Sequence, residues 1–92
     1  MKVKDLPDWP PSNFSVTGGP VPTHADQVTI GEVELVQDKS VTFNGTFDGG
    51  KPCRCPFFVP DRKTAEKVAK ILRNSKGKIL LSIANEELPE DQ

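Results

Sequence analysis

Ser40-Val41-Thr42-Phe43-Asn44-Gly45-Thr46-Phe47-Asp48 decides how the rest of the chain is read. Val41, Phe43, Gly45 and Phe47 alternate strictly with Ser40, Thr42, Asn44, Thr46 and Asp48. Successive side chains of a strand point to opposite faces, so this run is a strand with one face buried and one face wet. Upstream, Val28 to Val36 is also strand-like but changes phase: Val28 and Ile30 share one face, Val33 and Leu35 the other. Gly31 lies between them and marks a bulge or bend. Asp38-Lys39 supplies a tight turn, and the two runs pair as a hairpin.

Downstream, Asp48-Gly49-Gly50-Lys51-Pro52 is turn chemistry. A third strand follows at Cys53–Val59, with Cys53, Cys55 and Phe57 on one face and Phe58 on the other. Pro56 has no N–H for a ladder, which places this strand at a sheet edge or makes it irregular. Pro60-Asp61 opens a helix, with Asp61 positioned to accept from the free N–H groups of its first turn. Ala65, Val68, Ala69 and Leu72 recur at helical spacing and form its buried stripe, with Ile71 beside it. Gly77 stops it, after Asn74. Ile79, Leu81 and Ile83 then alternate with Leu80, Ser82 and Ala84, which predicts a last strand buried on both faces.

The expected fold is therefore α+β: a small, mostly antiparallel sheet in β-β-β-α-β order with one covering helix. Residues 1–27 hold Pro7, Pro10, Pro11, Pro20 and Pro22 and read as an extended Pro-rich arm. Residues 28–84 are the single domain, and residues 85–92 an acidic, frayed tail. The element order begins like a five-stranded oligonucleotide-binding barrel, but the tail is too short and acidic to add a fifth strand. With 92 residues the chain is one domain with a modest core. No apolar run approaches a membrane span, and Met1-Lys2-Val3-Lys4-Asp5 lacks the apolar stretch of a signal peptide. The expectation is a cytoplasmic protein without membrane contact.

The charge is segregated although the formal net charge is -1. Between residues 51 and 78 nine bases face only Asp61 and Glu66. Lys63, Lys67 and Lys70 fall on one helix face, flanked by Arg62 and Arg73. A basic face attracts acidic partners and phosphates. The ordinary role of such residues is to solvate an amphipathic helix, and the acidic tail is available as an internal neutralising partner if it folds back over the helix. Arg62, Lys63, Lys67, Lys70 and Arg73 are the candidate contacts to an anionic ligand or partner. Phe57, Phe58 and Trp9 are the candidate stacking or partner contacts. Trp9, in Asp8-Trp9-Pro10-Pro11, sits in a stiff segment that suits a groove, with its own domain as the first place to pack.

Cys53-Arg54-Cys55 does not read as a metal or redox site. Structural zinc takes four ligands, and His24 is the only histidine. Thioredoxin-type chemistry wants Cys-x-x-Cys at a helix start, whereas these thiols fall in a strand. They read as buried reduced cysteines, with thiol-redox chemistry as the weaker alternative. The Gly-rich run 45–50 matches no phosphate loop. No cofactor or metal is called for, and no carboxylate pair or Cys–His couple supports an enzyme. The sequence points to a non-enzymatic interaction or regulatory module. It uses the basic helix face, an exposed edge at Cys53–Val59, or both, and its partner is another protein or a second copy. The alternative is a small single-stranded nucleic-acid binder, which the scarcity of aromatics disfavours.

Overall fold

The alternating run at residues 40–48 is the middle strand of the computed structural model, which describes residues 1–22 and 24–89. β1 (Thr29–Val36), β2 (Ser40–Phe47) and β3 (Lys51–Phe58) form an antiparallel sheet in the order β1-β2-β3. α1 (Arg62–Asn74) packs against β1 and β2. The molecule is a small α+β domain, as the pattern of apolar residues predicts.

β2 and β3 pair without interruption from Ser40–Phe58 to Phe47–Lys51. Their connection turns through Asp48, Gly49 and Gly50, with φ of 45°, 81° and 118°. Glycine takes such values without steric cost, and aspartate tolerates the first of them. β1 is less regular. Its register against β2 slips between Ile30 and Val33 and again between Val33 and Leu35. The phase change read at Gly31 is a pair of bulges, but Val33 and Leu35 do not share a face: Val33 pairs with Phe43 and packs on the core with Ile30, while Leu35 pairs with Thr42 on the outer face. The approach of β1 to β2 also demands Gly45, since a Cβ there would lie 2.3 Å from the Thr29 carbonyl oxygen.

The inner sheet face carries Val41, Phe43, Phe47, Cys53, Cys55 and Phe57, all buried. α1 answers with Ala65, Val68, Ala69, Ile71 and Leu72, the stripe its spacing predicts. Asp61 caps the helix, its Oδ1 accepting from Thr64 N at 2.8 Å. That N–H holds the Asp61 carboxyl below its ordinary range. After Ser75, Gly77 turns the chain at φ 89°.

The last strand is the main departure from expectation. Gly77 N donates to Ile30 O, Ile30 N to Lys78 O and Leu80 N to Val28 O, each at 2.8 Å. Pairing with β1 stops after a single bridge, Thr29 to Ile79, and the chain winds into a 3-10 turn at Leu80–Ile83. Over so short a run, apolar residues fit a period of three as well as a period of two. Leu80 and Ile83 eclipse on the inner side and are buried, while Ile79 and Leu81 stay exposed. Burial on one side only favours the turn, so the observed order is β-β-β-α.

The first 27 residues also differ from an extended arm. Val3, Leu6, Pro11, Phe14 and Ala25 are buried in the common core, with 3-10 turns at Val3–Asp5 and Ala25–Gln27. Their apolar residues follow no period because each docks from irregular backbone. The chain after residue 84 does not fray at once: Leu88 is buried, its N–H donates to Met1 O, and Glu87 meets the N-terminal ammonium at 3.3 Å. The remainder of the acidic tail, 90–92, lies outside the described residues.

Candidate functional site

The edge at β3 is closed, contrary to the exposed edge expected at Cys53–Val59. Arg54 exchanges both backbone bonds with Ser15, at 2.9 and 3.0 Å, so Arg54 turns its peptide groups away from β2. By the two-residue period of a strand, Pro52, Pro56 and Phe58 do the same. Two of these four residues are prolines and have no N–H. Phe58 N donates to the Asp8 carboxylate at 3.0 Å. No outward donor of β3 is left for an incoming strand. The N-terminal segment occupies the edge that Pro56 announces.

The predicted stacking trio separates for the same reason. Phe57 is fully buried and packs on Trp9, with ring centroids 5.9 Å apart and planes tilted by 40°. Trp9 is half-buried, spent on its own domain. Phe58 alone faces solvent, at 49% exposure. Pro7, Asp8, Val59 and Pro60 border it in a shallow notch.

The basic residues stay together on the outward face of α1. Arg62, Lys63, Lys70 and Arg73 are exposed and Lys67 is half-buried. At the start of the helix Arg62 pairs with Asp38 at 3.2 Å and lies 3.9 Å from Glu66. Lys63 and Lys67 act on the Asp61 carboxylate and hold further contacts of their own. Lys76, just beyond the helix, pairs with Glu32. Lys70 and Arg73 enter no ion pair among the described residues. The positive field is thus least neutralised over the second half of α1.

The opposite face of the sheet holds a cluster that the sequence reading did not assemble. Arg54 Nε donates to Glu34 Oε2 at 2.6 Å and Nη2 to Oε1 at 3.4 Å, across the middle strand. Asn44 sits between them, accepting from Glu32 N at 2.8 Å through Oδ1. The Arg54 guanidinium first, and then the Asn44 side chain, hold the Glu34 carboxyl below its usual range. A cleft of about 660 Å³ opens beside this row, between Ser15–Thr17 and Thr46, Pro52 and Arg54. The signal lay in the bulge: the slip between Val33 and Leu35 lets consecutive residues, Glu34 and Leu35, share one face.

Cys53 and Cys55 are free, buried and on the inner face. Burial pushes the Cys53 thiol up and the Cys55 thiol up to about 12. Both are neutral thiols at physiological pH, the reverse of an activated nucleophile. Among the described residues, no three His, Cys, Asp or Glu side chains gather as metal ligands. No buried side-chain nitrogen or oxygen there lacks a hydrogen-bond partner. No helix of the described residues is long and apolar enough to cross a membrane. Compared with protein-family models, with curated proteins and with solved structures, the chain matches none.

Proposed function

We propose that this chain is a non-catalytic interaction module that engages an acidic protein partner through the exposed face of α1. The observation that carries the reading is the cationic surface over the second half of the helix, where Lys70 and Arg73 stand without a carboxylate partner among the described residues. The rigid backing of that surface adds to it. Ala65, Val68, Ala69 and Leu72 fix α1 on the sheet. The long basic side chains are therefore presented at a set spacing. The closed β3 edge removes strand addition there as the route to a partner.

The nucleic-acid alternative has less support. It needs bases stacked on aromatic side chains, and Phe57 and Trp9 are committed to the core. Phe58 remains, on a strand rather than on α1.

Fluorescence anisotropy separates the two. A labelled Glu-rich peptide and a labelled single-stranded oligonucleotide of equal charge are each titrated at low and at physiological salt. The protein reading expects the peptide to bind more tightly than the oligonucleotide. It also expects Lys70→Glu with Arg73→Glu to weaken peptide binding at least tenfold. Oligonucleotide binding that survives physiological salt would reverse the order of the two readings. No binding of either probe removes the α1 face as an anionic-partner site.

A further inference from the structure

The face of the sheet turned away from α1 carries an apolar row next to a charged row. Paired residues on neighbouring strands share a face. Leu35 pairs with Thr42 and Thr42 with Pro56, which gives one row across all three strands. Asn44 pairs with Arg54, and Glu34 closes that row through its ion pair. Phe58 follows Pro56 on the same face by strand period. Leu35 is 50% exposed and Phe58 49%. Two large apolar side chains thus stand half in water on the side of the sheet that α1 leaves open.

We infer that this face is a self-association surface, on which a second copy of the chain packs sheet to sheet. The argument is charge self-complementarity. Glu34 is on β1 and Arg54 on β3, on either side of β2. A two-fold axis running along β2, in the plane between two such sheets, exchanges the β1 and β3 positions. Arg54 then lies over Glu34 of the second copy, and Glu34 over its Arg54. The same rotation sets Leu35 over Pro56 of the second copy. One surface thereby supplies both halves of an isologous interface. Strands stack in the aligned manner usual for sheets packed face to face, about 10 Å apart.

Blunted edges favour association through the face: beyond Ile30 the outer side of β1 is interrupted by two register slips. β3 offers no outward donor, and the start of β1 is taken by residues 77–80. The area sets the strength. Three strands of this length span roughly 15 Å by 26 Å, about 390 Å² per copy, which is below the ~800 Å² per partner of a standard interface and fits a weak, transient contact. The expected complex is therefore a weak, concentration-dependent dimer and not an obligate one. It is independent of the α1 surface, which lies on the other side of the sheet.

Sedimentation velocity on the full chain tests the inference between about 10 μM and 1 mM, with folding checked by circular dichroism. The wild-type chain is expected to shift from monomer to dimer over that range. Arg54→Glu leaves two carboxylates in the charged row, and Glu34→Arg leaves two guanidiniums. Each variant alone is expected to stay monomeric, and an equimolar mixture of the two to dimerise. That recovery cannot come from the ion pair within one chain, because neither variant can form it. Leu35→Lys, at a half-exposed site, is expected to weaken association at least tenfold without unfolding the domain. A wild-type chain that remains monomeric at 1 mM overturns the inference. So do variants that dimerise singly as well as the wild type, or a mixture that stays monomeric.

Discussion

The two edges of the sheet are blunted by opposite means. At β3 the chain removes the donors: two of its four outward residues are proline, and the others are capped by Ser15 and Asp8. At β1 the chain keeps the donors and bends the strand, with two register slips and a short pairing to residues 77–80. The β3 solution leaves its pairing with β2 continuous. The β1 solution costs regularity, yet it brings Glu34 and Leu35 onto one face. An edge protected by composition leaves the sheet surface plain, whereas an edge protected by bulges reshapes it.

Substitutions that disturb the two edge strands should therefore have unequal effects, the largest at Gly45 of the middle strand, where β1 approaches most closely. Gly45→Ala drives a Cβ to 2.3 Å from the Thr29 carbonyl oxygen and to 3.1 Å from Val28 Cγ1. Backbone has to move, and the expected loss is about 1–3 kcal/mol, read as a lower urea midpoint. Pro56→Ala is the matched change on β3. It adds one outward N–H at a half-buried edge position and is expected to cost no more than about 1 kcal/mol. Equal losses at the two sites would show that the edges do not differ in the way the bulges suggest.

Asp8→Ala sharpens the β3 half of the comparison. It takes the acceptor from Phe58 N and leaves the backbone pair between Ser15 and Arg54 intact. The expected loss is about 1 kcal/mol, the net value of one hydrogen bond. Hydrogen exchange should quicken at the Phe58 amide and hold steady at Arg54. Loss of protection at both amides would mean that the N-terminal segment docks as one unit and that Asp8 is its anchor.

What the sequence disclosed follows the same division. Period-two alternation at 40–48 and proline logic at 56 located β2 and put β3 at the edge, because both depend on side-chain parity within one strand. Helical spacing and the Asp61 cap located α1, again from neighbours in sequence. Ile79–Ala84 reads as a strand and folds as a turn because six residues cannot separate a period of two from a period of three. The docking of Val3 and Leu6 left no period to find, whereas Phe14, a large apolar side chain in a proline-rich segment, docks as its size leads one to expect. The Glu34–Asn44–Arg54 row was hidden for a third reason: it spans three strands and depends on a register slip that residue spacing does not reveal. On α1 all five basic residues were named from spacing alone, since a helix surface is a local property.

The smallest effect near neutral pH separates the two faces of β3 itself. Arg54, on the outer face, keeps its charge, while Cys55, on the inner face, is held neutral by burial with its thiol raised to about 12. In the unfolded chain that thiol titrates near its ordinary value of 9.0. Between these values the folded state binds the proton more firmly than the unfolded state does. The stability gained is fully present below pH 9 and is lost as pH rises from 9 towards 12. Cys53 is shifted the same way by its own burial, so its contribution remains when Cys55 is removed. Cys55→Ala should therefore reduce, not abolish, the fall of the urea midpoint with alkaline pH, measured from pH 7.5 to pH 10.5. An identical slope in the variant would mean that water reaches Cys55 in the folded chain, and that the inner face of β3 is less sealed than its outer edge.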